Sequence, residues 1–204
     1  MKLPVLVLCT VLAGAAVQDR SKKLGPADLP KVLASASKAL DAKRYGQCQR
    51  DLKTALGLVG ALVRQQLLGV MPAAPSGFTA VEDKQEDEGA NAFAAALGVT
   101  AVPVEKRYRN DSGDEIKISV LADSPMVGMM GMMFNAAAMS KEGEVITYKE
   151  NKGLLKKEGD GYNLQVVVSA KHLVTVDAHG IDDDGLLKMI DQAFVDRVVS
   201  ALDG

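Results

Sequence analysis

The chain has 204 residues with 48% hydrophobic and 25% charged content, the balance of a foldable domain plus a small appendage and not of a disordered segment. Only 4% of residues are aromatic and none is Trp, so Leu, Val, Ala and Met must fill the core. A net charge of −2 over the whole chain excludes a generally basic protein attracted to nucleic acid or an anionic membrane.

Met1-Lys2, the apolar run Leu3 to Leu12 and the small residues Ala13-Gly14-Ala15-Ala16 have the three-part form of a cleaved secretory leader over residues 1–16. The apolar run is too short to span a bilayer as a helix. Cys9 lies inside it without the small residue that a lipid-anchor signal requires, which leaves Cys48 as the one cysteine of the mature chain. A periplasmic or secreted location is expected, with no transmembrane segment in the mature chain and no internal disulfide.

Residues 17–72 read as a polar lead-in followed by a helical hairpin. Leu29, Val32, Leu33, Ala36 and Leu40 fall on one side of a first helix, and the polar stretch Asp41 to Gly46 ends it. Leu52, Leu56, Val59, Leu62, Val63, Leu67 and Val70 follow at helical spacing. Ala55 to Val63 is apolar nearly all round, which predicts burial on more than one side. Cys48, between two glutamines, is expected to be partly exposed and able to pair between chains.

Residues 73–204 read as an α+β domain. Met71 to Gly77 closes the second helix, Phe78 to Val81 is a first strand, and Glu82 to Gly89 is an acidic loop. Ala90 to Leu97 is an alanine-rich helix or loop. Strands are predicted over Val102 to Arg109 and Glu115 to Asp123, with Asn110 to Asp114 as the turn between them. Asp123-Ser124-Pro125 then starts a Met-rich helix holding six of the nine methionines. Further strands are predicted at Glu144 to Lys149, Leu154 to Lys157 after a turn at Asn151 to Gly153, Tyr162 to Val168, and His172 to Ala178 after a tight turn at Ala170-Lys171. A final helix, Asp183 to Leu202, carries Leu186, Leu187, Ile190, Phe194, Val198 and Leu202 as one stripe. Consecutive strands joined by hairpins predict an antiparallel sheet with helices packed on one side.

Three stretches carry a resemblance. Met71-Pro72-Ala73-Ala74-Pro75-Ser76-Gly77-Phe78, the strand end Asp123-Ser124-Pro125-Met126 before Met-rich sequence, and Val166-Val167-Val168 to Val176 together resemble a family of uncharacterised exported bacterial proteins. The sheet portion is similar, more loosely, to the PsbP/Mog1-like fold. The shared motifs are apolar and structural, and the resemblance brings no catalytic residue with it.

Met126, Met130 and Met133 share one face of their predicted helix. Thioether sulfur is a soft ligand that suits Cu(I), so these three are candidate metal ligands. The plainer reading is that flexible Met side chains fill a gap between helix and sheet; an apolar groove for a lipid or peptide is a third. His172 and His179 are seven apart and point to opposite faces of a regular strand, so they do not form a metal pair. Asp182-Asp183-Asp184 lacks calcium-loop spacing and reads as helix caps. Asn110-Asp111-Ser112 satisfies a glycosylation sequon and reads here as a turn. Neither nucleophile motifs nor paired carboxylates point to catalysis, and no cofactor is implied. The expectation is a non-enzymatic binding or structural protein of the cell envelope, with a protein or apolar ligand, not nucleic acid, as partner. A soft-metal carrier and an apolar-ligand carrier are the alternatives.

Overall fold

The structure, a computed structural model, describes residues 24–81, 103–123, 127 and 143–204. The leader, the acidic loop, the alanine-rich stretch and all of the Met-rich stretch except Val127 lie outside them; Val127 is helical and buried. A 3-10 turn at Pro26–Asp28 leads into helices α1 (Leu29–Asp41) and α2 (Tyr45–Val70). Strands β1 (Phe78–Val81), β2 (Val104–Asn110), β3 (Glu115–Leu121), β4 (Glu144–Tyr148), β5 (Asn151–Glu158), β6 (Gly161–Val168) and β7 (His172–Ala178) follow. Helices α3 (Asp183–Met189) and α4 (Gln192–Asp203) end the chain. The fold is α+β: a helical hairpin before one seven-stranded sheet in the order β1-β2-β3-β7-β6-β5-β4, with every pairing antiparallel.

Alternation decides which face of the sheet is buried. Ile116, Ile118 and Val120 of β3 pair with Ala178, Val176 and Val174 of β7, and all six are fully buried. Leu164, Val166 and Val168 extend the same apolar face on β6. The other face carries polar side chains, with Arg107 and Lys117 both paired to Glu105 and Asn163 Nδ2 donating to Asp177 Oδ1 at 2.6 Å. A sheet with one apolar face must be covered on that side only. Leu186, Ile190, Phe194, Val195 and Val198 from the C-terminal helices and Leu67 and Met71 from the end of α2 share one core with the sheet.

The final helix is two helices, not the single one expected. Ile190 leaves helical geometry and Asp191 takes an extended conformation, its carboxylate accepting from Phe194 N at 2.7 Å. Asp182 caps α3 in the same way through Gly185 N at 2.8 Å. Each cap satisfies a first-turn N–H that the helix itself cannot. The expected apolar stripe survives the break, because Leu186, Ile190, Phe194 and Val198 are all fully buried.

Two turns differ from expectation. The β4–β5 turn is Lys149-Glu150, with Lys149 at φ +49°, and Asn151 to Gly153 belong to β5. Asn151 sits there because its Oδ1 accepts from Ser169 N, bracing the neighbouring turn at 2.9 Å. In the β6–β7 turn, positive φ falls on Ser169 and Ala170, with Lys171 N returning to Val168 O at 3.2 Å.

The chain end is tied to the sheet through His172. This imidazole is 1% exposed; its Nδ1 accepts from Asp123 N at 3.0 Å, and its Nε2 lies 3.3 Å from Asp203 Oδ1. An Nδ1 that accepts leaves Nε2 to carry the proton. The Lys171 ammonium donates to the same Asp203 oxygen at 2.7 Å. That bond, aided by Ser169 and His172, holds the Asp203 carboxyl down at about 2.

Candidate functional site

The large apolar side chains of the hairpin lie where sequence periodicity does not put them. The α1–α2 seam is built from small residues: Ala36, Ala39 and Cys48 form one buried cluster, Ala55 and Leu58 are buried further along α2, and Ser35 donates to Asp51 at 2.8 Å. Small side chains let two helices approach closely. The close approach turns the neighbouring leucines aside. Cys48 is therefore buried at 8% exposure, not partly exposed as its polar neighbours suggested.

Leu33 and Leu40 of α1 and Leu52, Leu56, Val59 and Leu62 of α2 each keep 36–55% of their surface exposed, and Tyr45 at the start of α2 keeps 64%. Burial of the Ala55 to Val63 stretch on more than one side is thus overturned: Leu56, Val59, Gly60 and Leu62 are all exposed. The helices are right-handed and run antiparallel, so the side of α1 that bears Leu33 and Leu40 is also the side of α2 that bears Leu52, Leu56 and Val59. They make one apolar face.

That face begins as a continuation of the core. Leu52, Leu56, Val59, Val63, Leu67 and Val70 follow one stripe of α2, about 27 Å from end to end at 1.5 Å per residue. From Val63 onward the stripe packs into the common core. Tyr108 Oη donates to Pro72 O at 2.5 Å, Lys106 Nζ reaches the same carbonyl at 3.4 Å, and Arg197 Nε approaches Val70 O at 3.5 Å. The C-terminal end of α2 is thereby clamped to β2 and α4. Burial pushes the Tyr108 hydroxyl up to about 12. Toward the N-terminus of α2 the cover stops, and an open groove of about 960 Å³, lined by Val59, Leu62, Val63, Val70, Arg197 and Ala201 among others, marks the step.

Charge is segregated in the same way, which the whole-chain value conceals. Leu29–Val70 carries seven basic and two acidic residues, whereas residues 71–204 carry 13 basic and 22 acidic. Lys31, Lys38 and Arg50 are exposed, and helical spacing puts them on the side of the hairpin opposite its apolar face. Lys43 and Arg44 stand at the tip beside Leu40 and Tyr45.

The remaining candidates do not assemble. Met126, Met130 and Met133 lie outside the described residues. His172 is taken up by its two partners, and His179 is half-exposed beside Asp160 at 3.4 Å. The two histidines do not meet. The His179 ring fills the space a Cβ on residue 161 would need, at 2.6 Å, which explains Gly161. Asn110 closes its turn by accepting from Asp114 N at 2.9 Å. Among the described residues, no three His, Cys, Asp or Glu side chains stand close enough to hold a metal, and no helix is long and apolar enough to cross a membrane. Tyr148, at the end of β4, is a further feature that sequence reading passed over. Its buried hydroxyl has no hydrogen-bond partner among the described residues, and burial together with the negative charge of Asp191 pushes it up to about 12. Set against known proteins, the chain matches no family model, no curated protein and no solved structure.

Proposed function

We propose that this chain is an exported, non-enzymatic binding protein of the cell envelope, whose working surface is the uncovered face of its helical hairpin. The observation that carries the reading is the stripe of α2. Its Val63–Val70 half is packed into the core, and its Leu52–Leu62 half presents the same kind of side chain to solvent. A contiguous apolar face on an otherwise charged surface marks a place where something binds. The leader-like residues 1–16 support export. The sheet and α4 serve as the mount: they clamp one end of α2 through Pro72 and Val70 and leave the other free to engage.

The test is a photo-crosslinking amino acid placed at position 56, on the hairpin face, or at position 160, a side chain 93% exposed in the β5–β6 turn. Irradiation of intact cells should give adducts from position 56 and none from position 160. Equal yields, or adducts from position 160 only, would overturn the assignment of the surface.

A further inference from the structure

We infer that His172 is a proton-operated latch: neutral, it holds the end of β3, and protonated, it releases that end while gripping the end of α4 more firmly. The latch is independent of the hairpin face. His172 opens β7 and shares the buried side of that strand with Val174 and Val176. Both of its ring nitrogens are engaged. Nδ1 accepts from Asp123 N at 3.0 Å, and Nε2 lies 3.3 Å from Asp203 Oδ1. One nitrogen must accept and the other must donate, which only the neutral Nε2–H form of the ring satisfies.

Imidazole is the side chain that ordinarily changes charge near neutrality, and as imidazolium both of its nitrogens are donors. A proton on Nδ1 would meet the Asp123 N–H donor to donor, so that bond is lost. The Nε2 bond to the Asp203 carboxylate becomes charge-assisted and gains. The lost bond is the one that fixes an unusual backbone. Asp123 follows β3 at φ +50°, in the left-handed region that residues other than glycine enter sparingly. Release lets it return to extended geometry. Among the described residues, the charged groups around the ring are Asp203 from α4, Lys171 from the β6–β7 turn and Asp123 from the end of β3. Asp203, held at about 2, stays ionised and draws a proton to the ring. Lys171 opposes it, because its ammonium already donates to the same Asp203 oxygen at 2.7 Å. The hydrogen bond to Asp203 and the charges of Asp203 and Asp123 keep Lys171 protonated by raising it above its ordinary value.

The test is NMR of the full chain carrying His179→Gln, a change at a half-exposed side chain that leaves His172 as the only imidazole. At neutral pH the ring nitrogens should show the Nε2–H form, and the Asp123 amide should be protected from exchange. As the pH is lowered, conversion of His172 to imidazolium should coincide with a loss of Asp123 protection of about tenfold or more, corrected for the intrinsic pH dependence of exchange. Amides of Ile118 and Val176, on the interior strands β3 and β7, should keep their protection through that step. Lys171→Gln should move both changes together to higher pH, and Asp203→Asn should move both to lower pH. An Nδ1–H form at neutral pH, an Asp123 amide indifferent to the His172 step, or movement of one change without the other would overturn the latch. Loss of Ile118 and Val176 protection in the same step would overturn it as well, because the proton would then unfold the sheet and not release one end of it.

Discussion

The two halves of α2 carry the same pattern and meet different fates. From Val63 to Val70 the apolar stripe lies under α4 and beside β2; from Leu52 to Leu62 it faces solvent. Periodicity reports that a face exists, but not whether the fold covers it. That depends on how far the covering elements reach, and α4 is only 12 residues long against 26 for α2. The surplus of α2, held by α1 through a seam of small side chains, is what gives the molecule a surface to use.

The largest expected effect comes from removing the cover. Truncation after Gly180 deletes α3 and α4, and with them Leu186, Ile190, Phe194, Val195 and Val198, all fully buried. Burying five such side chains contributes on the order of 10 kcal/mol at about 25 cal/mol per Å², comparable to the whole net stability of a domain. The truncated chain should lack a cooperative thermal transition. A retained transition, with only the helical signal of the missing residues lost, would place the α3–α4 stripe outside the core.

Next in size is a contrast within the stripe. Leu67→Ala should cost about 2–5 kcal/mol in urea unfolding, as expected for a fully buried leucine. Leu56→Ala should stay within about 0.5 kcal/mol. Similar losses at both sites would mean that both halves of α2 are covered.

The two buried tyrosines sharpen the comparison at the clamp. Tyr108→Phe removes the principal donor to Pro72 O and should cost about 1–2 kcal/mol. Tyr148→Phe removes a hydroxyl that has no partner among the described residues and should be neutral or stabilising. Both hydroxyls stand near 12 in the folded protein against about 10 in an unfolded chain. The folded state therefore holds these protons longer, so stability is intact below about pH 10 and falls as the pH rises toward 12. Tyr148→Phe should flatten part of that alkaline loss.

The smallest effect is acidic. Asp203 is held at about 2, below an ordinary aspartate near 3.9, so its contribution is present above that value and lost as the pH falls toward 2. Asp203→Asn should remove this part of the acid dependence and free the end of α4 from Lys171 and His172. An unchanged acid profile would show that the tie does not hold the terminus.

Much of the fold was legible in the sequence because strict alternation leaves little choice. Ile116-Ile118-Val120 and Leu164-Val166-Val168 could only be strands with one buried face, and the hairpin order of the strands forced antiparallel pairing. The order that places β7 beside β3 was not legible, since it depends on a connection through residues that carry no pairing signal. The break at Ile190-Asp191 had a signal, an Asp three residues before Phe194, which the uninterrupted apolar spacing overrode. The hairpin face was misread for a physical reason. Leucines score as core, but helices that approach closely do so over Ala36, Ala39, Cys48 and Ala55, and so leave the leucines outside. The charge of the hairpin was visible in the sequence from the start, and whole-chain summation cancelled it.

The account turns on whether the Leu52–Leu62 half of the stripe is open, and two thiols on one helix measure that directly. In a Leu56→Cys variant, native Cys48 lies in the α1–α2 seam at 8% exposure, while the new thiol stands two turns along the same helix on the uncovered face. Maleimide labelling followed by peptide mapping should modify position 56 at close to the rate of an unstructured thiol, with Cys48 at least tenfold slower, as a free-energy difference of about 1.4 kcal/mol or more for local opening requires. Comparable rates at the two positions, or faster labelling of Cys48, would contradict the existence of an open hairpin face.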